Sequence, residues 1–121
     1  MFGLTAGANI WLSTRPADMR KAYDGLAGEV RDFMGGDPLS GGWYVFVNKR
    51  RDRMKVLVWD RHGYWLLCKR LEAGRFAMPG EPAGDMSGAW RLSYEQLVLI
   101  VEGIDVTRVH QRKRFSFTAK K

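Results

Sequence analysis

The longest regular pattern of apolar positions along the chain is helical. From Asp18 to Met34, apolar residues recur every three or four positions and so fall on one side of an α-helix: Met19, Ala22, Tyr23, Leu26, Ala27, Val30, Phe33 and Met34. Asp18 stands where an N-cap residue would accept bonds from the first free amides. The spacing therefore predicts one long amphipathic helix over Asp18–Met34, in which Gly25 and Gly28 mark the close approach of another backbone.

Apolar runs rich in aromatic and β-branched residues predict strands. Asn9–Ser13 is a short first strand, and Trp43–Asn48, Met54–Asp60 and Tyr64–Leu71 follow at the spacing of an antiparallel meander. Apolar side chains fall on both faces of these strands, so both faces need cover. The helix covers one face, and the C-terminal segment, a second subunit or a partner covers the other. Cys68, in the last run, is expected to be a small buried residue.

The remaining pattern completes the fold prediction. Gly74–Gly88 reads as a loop and Ala89–Leu92 as a short strand. Ser93 and Gln96 form a capping box that begins a second helix. The predicted class is α+β, with an antiparallel β-meander of three to five strands packed against one long amphipathic helix and a second, C-terminal helix. Residues 1–107 form a single domain, and residues 108–121 are a basic tail that we expect to be mobile.

The charge is concentrated in two places. The chain carries a net charge of +7, of which residues 49–55 hold five basic and one acidic side chain (+4) and residues 108–121 hold six basic and none acidic (+6). The rest holds nine basic and twelve acidic side chains (−3). Basic charge confined to two segments indicates that an anionic partner binds at those segments, and this partner is most often a phosphate backbone. The alternative is that the loop and the tail are simply solvated. The predicted nucleic-acid contacts are Lys49, Arg50, Arg51, Arg53, Lys55, Arg61, Arg75, Arg112, Lys113 and Arg114.

The sequence contains no recognisable catalytic constellation. His62 and His110 lack neighbours at metal-ligand spacing, and no phosphate-binding loop or nucleophile motif is present. Asp18 is explained by capping and Asp24 by an i, i+4 pair with Arg20. We therefore predict no enzyme activity, no cofactor and no metal, and these assignments disfavour the alternative of a small metal-dependent nuclease. One cysteine and the absence of a signal or membrane-spanning run predict a cytoplasmic protein, nucleoid-associated if it binds DNA.

Three segments resemble a known family. DMRKAYDGLAGEV (Asp18–Val30), the stretch Lys49–Pro79 and LSYEQLVLIVEGID (Leu92–Asp105) are similar to the TnpB accessory proteins (Orf-two-like family) of insertion-sequence-66-type transposable elements. The resemblance implies a non-catalytic role in DNA transposition, beside a separate transposase that carries the strand-transfer chemistry. Together with the basic segments, it points to three kinds of partner: DNA, including element ends, the transposase, and other element-encoded proteins. A homo-oligomer, in which a second subunit covers an apolar sheet face, is also open.

Two functional hypotheses follow. In the first, the chain binds DNA or the transposase, or both, through a basic β-hairpin and the tail. In the alternative, it is a protein–protein interaction module or an oligomerising scaffold that uses an apolar sheet face, and its contact with DNA is incidental. Salt separates the two hypotheses, because phosphate binding weakens steeply with ionic strength.

Overall fold

A computed structural model describes residues 8–79 and 88–102, which form a five-stranded sheet with a helix against each face. The strands are β1 (Ile10–Ser13), β2 (Trp43–Val47), β3 (Arg53–Asp60), β4 (Gly63–Arg70) and β5 (Ala89–Leu92), in the spatial order β4-β3-β2-β1-β5. Helix α1 (Tyr23–Glu29) continues as a π-helical turn over Val30–Met34, and helix α2 spans Tyr94–Val101. The α+β class is confirmed. The predicted domain end at residue 107 and the tail 108–121 lie outside the described residues.

The sheet is mixed rather than antiparallel throughout, which corrects the predicted architecture. β2 pairs with β3, and β3 with β4, in antiparallel fashion. β1, however, runs parallel to β2, with Ile10 opposite Trp43. Adjacent strands that are joined through a helix run parallel, because the crossover carries the chain back to the end of the sheet from which it started. The helix between the first two strands was therefore a signal for parallel pairing.

The first helix is also shorter than predicted. It starts at Tyr23 and has twelve residues including the π-helical turn. Asp18 is not its N-cap: the carboxylate accepts instead from the backbone N–H of Arg20 at 2.9 Å and pairs with its guanidinium at 2.7 Å. The Lys55 ammonium donates to the carbonyls of Met19 at 2.8 Å and Lys21 at 2.7 Å. The Met19 carbonyl would otherwise accept from the amide four residues on, so this bond opposes a helical turn there.

Each face of the sheet carries its own apolar core. On the α1 face, Leu26 and Val30 pack with Phe46 and Leu57, all of them fully buried. On the α2 face, the buried side chains come from the sheet, from α2 and from the segment after β4: Ile10, Leu12, Val45, Val56, Phe76, Leu97 and Ile100. Burying one such side chain stabilises the fold by roughly 1.5–3 kcal/mol. The C-terminal segment is thus one of the covers that the apolar pattern required.

Among the described residues, strand β4 lies at one edge of the sheet and is covered less than the other strands. Trp65 is 47% exposed, Leu67 is 36% exposed, and Cys68 is also exposed. The expectation that Cys68 is buried was wrong, because β4 is an edge strand and α1, which begins only at Tyr23, leaves this end of its face open.

The glycines within α1 do not mark a close approach of another backbone. A Cβ at Gly28 would find only the end of the Arg31 side chain, at 3.9 Å, and one at Gly25 would meet the Lys21 side chain. Close backbone contact occurs instead at Gly88, just before β5, where a Cβ would collide with the Phe33 carbonyl. The predicted reason for Gly25 and Gly28 was therefore wrong.

Candidate nucleic-acid interface

The basic cluster falls on the turn that joins β2 to β3, as the sequence predicted, and the turn is internally bonded. The Asn48 side-chain oxygen accepts from the backbone N–H groups of Asp52 and Arg53, both at 3.0 Å. The Asn48 side-chain amide donates to the Asp52 carboxylate at 2.8 Å. The Arg51 N–H bonds to the Asn48 carbonyl at 3.0 Å, and Arg51 has a left-handed backbone with φ of 61°. One asparagine therefore holds the whole turn closed.

The segment after β4 anchors the same turn from the side. The Arg51 carbonyl accepts from the Phe76 N–H at 2.7 Å, and the Asp52 carbonyl accepts from the Leu71 N–H at 2.8 Å. The Phe76 side chain is fully buried in the core of the α2 face. The backbone of the turn is thus tied to the core, while Lys49, Arg50 and Arg51 are exposed.

One carboxylate lies among these cations. The hydrogen bond from the Asn48 side chain lowers the pKa of Asp52 below its ordinary value, and the charges of Arg50 and Arg53 lower it further. Asp52 is therefore ionised at neutral pH, but it offsets only one of the positive charges around it. The tip of the hairpin keeps a net positive charge.

A groove of about 490 Å³ opens on the α1 face beside this hairpin. Across the two strands that form it, Arg53 lies opposite Arg70 and Lys55 lies opposite Cys68. The groove is lined by Met19, Arg53, Met54, Lys55, Cys68, Lys69, Arg70 and Glu72. Like charges placed directly opposite each other on neighbouring strands destabilise a sheet. The groove therefore concentrates cations at a cost to stability.

Two lysines that line the groove have structural partners. Lys55 holds the segment before α1 through the carbonyls of Met19 and Lys21, as described above. The Lys69 ammonium donates to the Val101 carbonyl at 2.6 Å, at the C-terminal end of α2. Arg70 pairs with Glu72 at 3.0 Å, but both side chains are well exposed, and exposed pairs contribute little. Among the described residues, no side chain forms a hydrogen bond or ion pair with the Arg53 guanidinium.

The structure gathers some of the predicted contacts and separates others. Lys49, Arg50, Arg51, Arg53 and Lys55 surround the first hairpin, and Arg75 precedes Phe76, the residue that anchors the turn.

Other predicted contacts lie elsewhere. Arg61 lies in the turn just beyond β3, roughly 26 Å from Arg53 at the usual rise per residue. Arg112, Lys113 and Arg114 lie outside the described residues. Arg70 is not in the predicted set; counting back from the second turn places it opposite Arg53.

The described ranges, 8–79 and 88–102, hold no cluster of three His, Cys, Asp or Glu side chains that could bind a metal ion. In these same ranges, no helix has the length and apolar character needed to cross a membrane.

Comparison with known proteins identifies the family. The model described as "IS66 Orf2 like protein" matches residues 8–111, and the chain belongs to this family. The resemblance seen in the sequence is thereby confirmed.

Two curated relatives come from Sinorhizobium fredii (strain NBRC 101917 / NGR234). "Uncharacterized protein y4jC" is 38% identical over 112 residues, covering 93% of this chain and 92% of the relative. "Uncharacterized protein y4hO" is 34% identical over 104 residues, covering 84% and 87%. No solved structure matches the chain.

Proposed function

We propose that this chain is a non-catalytic accessory protein of DNA transposition that binds the phosphate backbone of DNA through its first hairpin and the adjoining groove. Membership of the IS66 Orf2-like family supports the link with transposition. The observation that carries DNA binding is the hairpin itself: Lys49, Arg50 and Arg51 are exposed on an ordered turn that contains one acid, Asp52.

The order of the turn favours binding of an extended polyanion. A flexible loop would lose conformational entropy when its cations met phosphates, whereas this turn is already held by Asn48 and by the segment that ends at Phe76. Arginine also suits the role, because its planar guanidinium can donate two parallel bonds to one phosphate. Binding would release condensed counterions and so depend steeply on salt.

The groove extends the same surface along β3 and β4. Arg53 and Arg70 both line the groove and face each other across the two strands, while Lys55 contributes charge and also holds the segment before α1. The basic tail, with Arg112, Lys113 and Arg114, would add affinity that does not depend on DNA sequence. The proposed contacts with the tail rest on its charge alone.

The test is the salt dependence of DNA affinity, measured by fluorescence anisotropy with a labelled duplex. The variant replaces Arg50, Arg51 and Arg53 by Glu, which changes the net charge from +7 to +1 because each reversal removes two charges. Loss of three phosphate contacts should flatten the log–log salt slope by about 2.7, at roughly 0.9 per contact. Affinity at low salt should fall sharply.

A matched control carries the same change of charge elsewhere. Arg20, Arg31 and Arg91 are exposed and lie outside the hairpin and groove, so reversing all three to Glu also leaves a net charge of +1. The control should keep most of the slope. Equal losses in both variants would mean that overall charge, and not the hairpin, governs binding. An unchanged slope in the hairpin variant, with its fold intact by circular dichroism, would contradict the proposal.

A second candidate is an interaction module that binds the transposase. It is favoured by the exposure of Trp65 and Leu67 on the edge strand β4. A pull-down against the transposase, with and without element-end DNA, separates the candidates. Capture that needs no DNA and survives high salt would favour the second, because apolar contacts are not weakened by screening.

A further inference from the structure

We infer that strand β4 is the interface of a homodimer, in which two copies of this chain pair their β4 strands antiparallel and join their sheets into one. The inference goes beyond the proposed function and does not depend on whether the chain binds DNA. It commits the exposed edge strand to a second copy, rather than to the transposase considered above.

The first observation is that β4 is an edge strand of the described sheet. Its eight residues pair with β3 in one unbroken register, without a bulge, and no described strand lies on its other side. From Gly63 to Cys68 it carries no charge and no proline, although these are the devices by which proteins usually block edge pairing. The opposite edge strand, β5, has four residues and an exposed Arg91. Of the two edge strands that the structure describes, β4 is the longer and the one suited to pairing.

The second observation concerns which backbone groups face outward. The Leu71 N–H bonds to the Asp52 carbonyl, so Leu71 directs its backbone groups toward β3. Because these directions alternate along an antiparallel strand, the outward N–H and carbonyl groups belong to the even-numbered residues: Tyr64, Leu66, Cys68 and Arg70. A second strand must bond to these four residues.

The third observation is that the sequence YWLLCKR is complementary to itself when reversed about Leu67. With a two-fold axis perpendicular to the sheet at Leu67, this residue meets its own copy. Leu66 then faces Cys68 of the second copy, Trp65 faces Lys69, and Tyr64 faces Arg70. Each cation of β4 thus lies opposite an aromatic residue of the second copy, and the lysines and arginines of the two copies are at opposite ends, so no like charges meet directly across the interface.

This register also satisfies the backbone. Tyr64 with Arg70, and Leu66 with Cys68, are pairs of even-numbered residues, so they exchange both hydrogen bonds across the interface. Every outward N–H and carbonyl of β4 then has a partner. A shift to an axis at Leu66 would place Lys69 opposite Gly63, where it would lose its aromatic neighbour. The Leu67 register is therefore the one that satisfies both backbone and side chains.

Dimerisation would also cover exposed apolar surface. Leu67 is 36% exposed and would contact its own copy at the axis. The two first hairpins would lie toward opposite ends of the continuous sheet, on strands next to the dimer interface but not within it. The dimer would thus leave both cationic tips accessible.

The test uses sedimentation equilibrium over a range of protein concentrations. The wild-type chain should dimerise, and Leu67→Lys should weaken dimerisation about tenfold or more, because two introduced lysines meet at the axis. Leu99→Lys is the matched control, since Leu99 is 49% exposed and lies on α2, not on the β4 edge; it should dimerise as wild type does. Wild-type chain that stays monomeric at every concentration, or equal dimerisation of Leu67→Lys, would overturn the inference.

A charge-swap experiment tests the axis directly. Leu67→Lys and Leu67→Glu should each be largely monomeric alone, yet associate when mixed, since the introduced lysine of one copy then faces the introduced glutamate of the other. This result excludes misfolding as the reason for the monomers. Failure of the mixture to associate would count against pairing at Leu67.

Disulfide cross-linking at Leu67 tests the proposed register of the two β4 strands. Residues at the axis form a non-hydrogen-bonded pair with Cα atoms about 4.5 Å apart, within the range of a disulfide. The double variant Leu67→Cys, Cys68→Ser should therefore oxidise to a covalent dimer under mild conditions. The control Leu99→Cys, Cys68→Ser should not. Equal cross-linking of both would show random collision and overturn the proposed register.

Discussion

The two hairpin turns of the sheet differ in how they are held. Both contain an arginine in the left-handed region, Arg51 with φ of 61° and Arg61 with φ of 62°. The first turn is closed by the Asn48 side chain and is bonded to the segment that ends at Phe76. The second turn consists of Arg61 and His62, which join the paired residues Asp60 and Gly63. Within the described part of the chain, the side chains of Arg61 and His62 form no hydrogen bond.

This difference in hydrogen bonding shows that the first turn depends on the tertiary structure more than the second turn does. The second turn is flanked by paired strands and by one side-chain bond between them, from the Trp65 indole N–H to the Asp60 carboxylate at 3.1 Å. The first turn displays more charge and needs more support, because its cations repel one another and its backbone must stay fixed against that repulsion. A buried phenylalanine, an asparagine and a separate chain segment all hold this one turn in place. The following predictions test this contrast.

The largest effect is expected from Phe76→Ala. The side chain is fully buried, so its removal should lower the free energy of unfolding by about 3–5 kcal/mol. Urea unfolding measures the loss. In the folded population, amide exchange should accelerate at Asn48 and Arg51 in the first turn, while strand amides next to the second turn change less. Equal acceleration at both turns would show that Phe76 supports the fold generally and not the first turn in particular.

Asn48→Ala should have the next largest effect. It removes three hydrogen bonds that close the first turn, and we expect a loss of about 2 kcal/mol. His62→Ala is the control in the second turn and should change stability by less than about 0.5 kcal/mol. Thermal unfolding of the two variants decides the matter. Similar stabilities would mean that the Asn48 bonds add nothing to the folded state.

Arg51→Gly and Arg61→Gly should have similar, small effects on stability. Glycine accepts the left-handed backbone without strain, so each variant should gain about 0.5–1 kcal/mol. Their effects on DNA affinity should differ. Arg51→Gly should flatten the salt slope by about 1, whereas Arg61→Gly should leave it unchanged because Arg61 lies just beyond the far end of β3. A flatter slope for Arg61→Gly would instead confirm Arg61 as a phosphate contact.

The smallest effect concerns pH. The pKa of Asp52 is lowered in the folded chain, chiefly by its bond to Asn48, so ionised Asp52 stabilises the fold at pH values above its ordinary pKa of 3.8. This contribution is lost as the pH falls through the lower, folded-state pKa.

The measurement is the difference in melting temperature between wild type and Asp52→Asn, which should shrink between pH 6 and pH 2.5. Other carboxylates, such as Asp18 and Glu29, are present in both chains and so cancel in the difference. A difference that stays constant with pH would show that the charge of Asp52 does not stabilise the turn.

Much of the fold was predictable from local pattern. All five predicted strands are present, each within a residue or two of its predicted ends. The capping box is confirmed in both directions, with the Gln96 N–H bonding to the Ser93 hydroxyl at 3.1 Å and the Ser93 N–H bonding to the Gln96 side chain at 2.8 Å. These features depend on residues only a few positions apart, so the sequence alone was enough to predict them.

The errors share a different cause. The start of α1 depends on Lys55, which lies more than thirty positions beyond the carbonyls that it binds. The exposure of Cys68 follows from the place of β4 at the edge of the sheet. The face shared by Arg53 and Arg70 follows from the register between two strands. None of these can be obtained from apolar periodicity, which reports only which side of an element is buried.

The sequence by itself determined the elements, the family and the position of the basic turn, because each is encoded by residues close together along the chain. Only the tertiary structure decided that Lys55 binds the segment before α1, that Phe76 anchors the turn, and that β4 lies at an edge of the described sheet. These depend on contacts between distant segments. Such contacts form only when both cores close together, since the burial of apolar surface on each face selects one arrangement among the several that local patterns allow.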